Sequence, residues 1–230
     1  MKDYIECMKN YSALASWAVW ESNSNDGEFK KEKDLVENIN FSNYKSCLQK
    51  SNTVFLAMNP GGTFNEDEAK KATRIRKASK RSWSNFHNVG KSRDYLLAQA
   101  IKNTPEWGSY MTDIFPIVGS DSSVITKFIN SKENKEIVEK LILEFDEEMS
   151  LLFSKDKEVK LLCIGKSSYN WANKFLVNSN IPLKKTYKTF YLPHYSGANN
   201  GGIKNKAIEL GVENYYPTVI KTLLKKYREQ

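Results

Sequence analysis

The chain has 230 residues, 40% hydrophobic and 27% charged, with 35 Lys and Arg against 27 Asp and Glu. That composition excludes a disordered chain and fits one compact domain of α/β size, 1–230. No apolar run reaches the roughly 18 residues of a membrane-spanning helix, and a net charge of +8 points to a polyanionic partner.

Three scattered cysteines, Cys7, Cys47 and Cys163, exclude a disulfide scaffold and a four-cysteine metal or iron–sulfur site. Two histidines, His87 and His194, exclude a three-histidine metal centre. Early charges interrupt the apolar residues of the N-terminus, so no secretory signal is expected there. A reducing, cytoplasmic setting follows.

Mixed three- and four-residue spacing of apolar side chains predicts a helix over 4–20, making 1–50 an N-terminal helical part ahead of a core at 52–227. A polar loop follows at 22–29. The β-rich run 53–58 predicts a buried strand that stops at Asn59-Pro60-Gly61-Gly62. A helix is expected over 92–102 and a strand over 110–115. The clearest helix is 134–153, with Ile137, Leu141, Leu143, Phe145 and Leu151 between charges. A third strand is expected over 159–164, a helix over 167–177, a fourth strand over 186–192, and a closing helix over 214–227. Buried strands alternating with helices predict a three-layer αβα sandwich around a mostly parallel sheet of about four strands.

Ligands of such sheets bind beyond the carboxyl ends of the strands. Three of these ends carry polar residues: Asn59, Asp113 and His194. Pro60 fixes φ, and Gly61 and Gly62 allow close approach to the backbone, although the same residues also suit an ordinary turn. His194 opens a small, polar, glycine-rich run through Ser196, Gly197, Asn199 and Gly202. Lys70, Lys71, Arg74, Arg76, Lys77, Lys80 and Arg81 form a basic run, either a solvated face or a phosphate contact over a mobile lid. Gly165-Lys166-Ser167 looks like the tail of a phosphate-binding loop, but Lys160 stands where the upstream glycine belongs. No serine-hydrolase elbow is present.

Ala57-Met58-Asn59-Pro60-Gly61 together with His194-Tyr195-Ser196-Gly197-Ala198-Asn199 resembles the paired motifs of the uracil-DNA glycosylase superfamily. The nearest look is to its single-strand-selective monofunctional and mismatch-specific branches. The resemblance covers roughly 52–227. Two positions depart from it: Ala57 stands for a usual glycine and Tyr195 for a usual proline.

The resemblance implies a monofunctional DNA glycosylase without metal or organic cofactor, acting as a monomer on a flipped-out base, in repair or in defence against modified DNA. Asn59 is then the water-positioning residue and His194 the group that stabilises the departing base. Asp113 reads the base, Phe86 or Trp83 stacks on it, and His87, Asn88 and Met58 line the pocket. Pro60, Gly61, Gly62, Ser196, Gly197 and Asn199, with Lys77, Lys80 and Arg81, hold the DNA backbone. An ionised Asp113 accepts from an exocyclic amine and cannot donate to uracil O4, so an amino-bearing base such as a modified cytosine is favoured over uracil. A uracil-excising enzyme, a catalytically silent nucleic-acid-binding module and an enzyme acting on free nucleosides are the competing expectations.

Overall fold

A computed structural model describes residues 3–75, 82–87 and 93–230. Its centre is one five-stranded sheet. Strand β1 (Ser16–Trp17) follows a short helix α1 (Tyr4–Cys7); β2 (Thr53–Ala57) precedes helices α2 (Glu66–Lys70) and α3 (Tyr95–Ile101). After β3 (Tyr110–Asp113) come α4 (Ser122–Asn130) and α5 (Lys135–Leu152). Then β4 (Glu158–Ile164) leads to α6 (Lys166–Ala172), which widens into a π-turn at Asn173–Val177. Strand β5 (Thr186–Leu192) and helices α7 (Asn200–Leu210) and α8 (Tyr216–Arg228) complete the chain. Among the described residues, no helix is long and apolar enough to cross a membrane.

The strand order is β1-β3-β2-β4-β5, parallel except for β1, which runs antiparallel to β3. Alternation within the strands builds two cores. Val54, Leu56, Tyr110, Leu161 and Cys163 face one side with Phe128, Phe145 and Trp171 of α4, α5 and α6. Phe55, Met111, Leu162 and Ile164 face the other, with Leu97, Ile203 and Ile220 of α3, α7 and α8. This is the three-layer α/β arrangement expected. Right-handed crossovers account for the main layers: the chain moves one way from β2 to β3 and the other way from β3 through β5, so α3 falls on one face and α4, α5 and α6 on the other, where Ala69 of α2 also packs.

The N-terminal expectation is corrected. Only residues 4–7 form an α-helix, and 16–17 form the fifth strand at the sheet edge. Every residue from Leu14 to Trp20 is buried. An amphipathic helix keeps one face wet; a segment enclosed on all sides gains more as an edge strand and buried loop. The strand expected over 110–115 ends at Asp113, yet Ile114 and Phe115 still donate to Ala57 O and Met58 O (3.0 and 3.2 Å). The helix expected over 134–153 is α5, but its buried face is Val138, Leu141, Ile142, Phe145, Met149 and Leu152. Leu143 and Leu151 are exposed.

Two charged side chains lie inside this frame. Arg74 is fully buried: Nε meets Glu148 Oε2 at 2.5 Å, Nη1 donates to Asp113 O and Ile114 O (2.8 and 3.0 Å), and Nη2 donates to Thr112 Oγ1 at 2.8 Å. Its carbon plane lies over the Phe145 ring. It therefore belongs to the core and takes no part in a phosphate-binding surface. Arg74→Ala should lower unfolding free energy in urea by about 3–5 kcal/mol, because Glu148 is left charged without a partner; replacing both residues by apolar ones should cost less.

Asp94, also fully buried, accepts from the Trp20 indole at 3.0 Å through Oδ2, while Oδ1 has no hydrogen-bond partner among the described residues. Burial pushes its carboxyl up to about 7 from 3.8, against the indole hydrogen bond. In that window the folded state keeps a proton that the unfolded chain has released, so stability falls as pH rises towards and through 7. Asp94→Asn should flatten this slope in melts taken from pH 4 to 8; an unchanged slope would refute the assignment.

Candidate active site

The connection leaving β2 runs towards β3 and that leaving β4 runs towards β5, so the carboxyl ends of the neighbours β2 and β4 flank a topological switch point. Ser168 Oγ, at the start of α6, donates to Leu56 O at 3.0 Å and ties this edge together. Asn59 follows β2, Gly165 follows β4 and His194 follows β5.

Asn59 is fixed by its own amide. Nδ2 donates to Pro60 O, Ile117 O and Gly119 O at 3.0, 2.8 and 2.7 Å. Gly119 N donates back to Pro60 O, Ser120 N to Gly62 O, and Ser120 Oγ accepts from Gly62 N, all at 2.9 Å. The loops after β2 and β3 are thus zipped together. Gly62 is required there: its φ is +146°, and a Cβ would lie 2.6 Å from Val118 Cγ1. With three carbonyls orienting the NH2 group, Asn59 Oδ1 is left buried and without a hydrogen-bond partner among the described residues. That oxygen can accept from a water or a hydroxyl, and it cannot take up a proton at neutral pH.

His194 is equally defined. Ser196 N donates to its Nδ1 at 3.0 Å, so the neutral ring carries its proton on Nε2. Burial alone lowers its pKa below the ordinary 6.5, favouring the neutral ring. The ring rests against Gly165, where a Cβ would lie 3.5 Å from His194 Cβ; the φ of +95° at Gly165 is what demands glycine. Asn199 Nδ2 and Tyr216 Oη secure the neighbouring carbonyls His194 O and Pro193 O at 3.0 and 3.1 Å. The imidazole can therefore offer an N–H to an anion at neutral pH.

Asp113 is 1% exposed at the end of β3. Asn85 Nδ2 donates to its Oδ2 at 2.9 Å. The loop carrying Asn85 is pinned to the N-terminal segment: Trp83 N donates to Ser12 O at 2.7 Å, Ser16 Oγ donates to Trp83 O at 2.8 Å, and Asn85 Nδ2 also meets Leu14 O. Trp83 and Phe86 have φ of +62° and +69°. Such a backbone costs bulky residues about 1–3 kcal/mol each and persists only where neighbours over-determine it.

The expected site residues separate into groups. Asn59, Asp113 and His194 do close three strands at one edge of the sheet. Met58 is half-buried beside them, and Phe86 is half-buried against the α3 side. Trp83 and His87 instead support the N-terminal segment. Trp83 packs on Trp17 with centroids 5.6 Å apart, and His87 lies between Trp20 and Phe41 with Nε2 3.2 Å from Trp17 O. The main-chain N–H groups of Gly62 and Ser196 are engaged internally, whereas Gly61 and Gly197 are exposed. Asn88, Lys77, Lys80 and Arg81 lie outside the described residues.

Sequence reasoning missed Asn85 and the carbonyls of 117–119, and it set Gly165 aside with the incomplete phosphate-loop pattern. It set Lys166 aside with the same pattern and missed the cations Arg93, just before α3, and Lys204, within α7. Arg93 Nη1 donates to Asn200 Oδ1 at 3.2 Å, and no carboxylate pairs with any of these three among the described residues. The described residues hold no cluster of three His, Cys, Asp or Glu suited to a metal ion.

In nitrogen-15 NMR at pH 7, His194 should appear as the Nε2-protonated neutral tautomer and should protonate only below pH 6.5. Ser196→Pro, which deletes the N–H on Nδ1, should release that preference. Comparison with protein-family models, with curated proteins and with solved structures found no match to this chain.

Proposed function

We propose that the chain is a DNA glycosylase that hydrolyses the N-glycosidic bond of a flipped-out, amino-bearing base such as a modified cytosine. The observation that carries this reading is His194, held neutral with Nε2–H as its donor at the same sheet edge as the orphaned Oδ1 of Asn59. As the C–N bond breaks, the base leaves with the electron pair and positive charge grows on the sugar. A fixed N–H donor lowers the energy of the departing anion without having to lose its own proton first. Asn59 Oδ1 accepts from the attacking water and aims its oxygen at C1′; the water's proton passes to solvent, as an amide cannot hold it. Asp113 supplies an acceptor for an exocyclic amine. Arg93, Lys166 and Lys204 add positive charge for phosphates.

A second reading, a silent nucleic-acid-binding module on the same fold, is favoured by one observation: the whole NH2 group of Asn59 is used to clamp two loops.

The test is a panel of labelled single- and double-stranded oligonucleotides carrying uracil, hypoxanthine, cytosine or a 5-substituted cytosine, with abasic sites revealed by alkali. Release of a cytosine-type base is expected, with His194→Ala slower by about 10²–10³-fold in kcat. Asn59→Ala should bind DNA and lose about 10²-fold in rate. Release of uracil alone would overturn the role given to Asp113. Salt-sensitive binding with no release from any substrate would favour the silent module.

A further inference from the structure

The aromatic loop meets the end of β3 through one side chain. Asn85 Nδ2 donates both to Asp113 Oδ2 and to Leu14 O. A carbonyl only accepts, so the bond to Leu14 makes the nitrogen of this amide, and not its oxygen, the atom that faces Asp113. The loop itself is held in place, with the backbone of Trp83 tied to Ser12 and Ser16. Arg74 holds the main-chain carbonyl of Asp113 at 2.8 Å from below. Among the described residues, Arg74 thus holds the main chain of Asp113 and Asn85 holds its carboxylate.

We infer that Asn85 is a positioning residue that sets base selectivity: by donating to Asp113 Oδ2 it keeps the group at the end of β3 an acceptor and commits the site to a base that presents an amine. The inference rests on the glycosylase reading above. An amide at position 85 brings no second acid to the pair. A carboxyl group there would press two acids together, and such pairs hold a shared proton. That proton turns the pair into a donor, the partner a base carbonyl such as uracil O4 requires. Truncation at position 85 removes the orientation without creating a donor.

The test compares kcat/KM for release of cytosine, a 5-substituted cytosine and uracil from single-stranded oligonucleotides, for the wild type, Asn85→Asp, Asn85→Ala and Asn85→Ser. Each protein is first checked for a cooperative thermal melt. Asn85→Asp should shift the cytosine-to-uracil ratio roughly tenfold or more towards uracil, with the shift fading as pH rises and the shared proton is lost. Asn85→Ser, which keeps a hydroxyl donor, should hold the wild-type order. A folded Asn85→Asp with the wild-type ratio overturns the role of Asn85 and leaves the glycosylase reading standing. Should Asn85→Asp not fold, Asn85→Ala decides: wild-type kcat and ratio in that variant overturn the inference. A wild-type protein that releases no base from any oligonucleotide removes the glycosylase reading and this inference with it.

Discussion

Arg74 is a charge placed where water cannot reach it, and the carboxyl edge of the sheet is arranged around it. A buried guanidinium persists only if its donors are all met and its charge is balanced. Glu148 of α5 balances it, while Thr112, Asp113 and Ile114 take its donors where β3 ends. One side chain therefore fixes the depth of α5 against the sheet and the path of the chain leaving β3. That path in turn brings Ile117 O and Gly119 O to the amide of Asn59. A polar residue with long reach does here what an apolar side chain could not: it specifies direction as well as proximity.

The same logic runs through the loops. Asn59, Asn85 and Asn199 each use an amide NH2 to hold backbone carbonyls or a carboxylate of another segment. Each leaves the loop rigid while adding no charge. Rigidity matters to the chemistry proposed, because a donor such as His194 Nε2–H stabilises charge only if it needs no rearrangement as the charge appears. Apolar packing supplies the bulk of the stability, at about 1.5–3 kcal/mol for each fully buried aliphatic or aromatic side chain. These amides supply the geometry.

The parts of the fold legible in the sequence are those where a single constraint dominates. β2, β4 and β5 are legible because each is a short run rich in apolar and β-branched residues that stops at turn residues. The helix Tyr216–Arg228 read correctly because Val219, Ile220 and Leu224 recur on one side. Residues 4–20 misled because their apolar side chains recur at three- and four-residue spacing, whereas the unbroken burial of 14–20, which a one-faced helix does not give, depends on segments far away in the chain. The glycine-rich run after His194 reads as a phosphate-contacting loop as far as Gly202, yet the helix begins at Asn200, because Ile203 and Ala207 packing against the core override the turn propensity of Asn and Gly. Arg74 read as one cation among seven, because burial of a charge depends on partners far away in the chain. Asn59 and His194 were legible as polar residues at strand ends. The tautomer of His194 was not, since it hangs on the main-chain N–H of Ser196.

The two-residue strand β1 has a consequence for how the sheet ends. By pairing with Tyr110 and Met111 of β3 it moves that margin onto Ser16 and Trp17, two fully buried residues. The opposite margin, β5, carries Lys188 within the strand and Lys184 and Lys185 just before it. Stacking a second copy there by continuing the backbone ladder would crowd like charges and strip them of water. One margin is thus short and buried and the other guarded by charge, which works against stacking of the chain into fibrils.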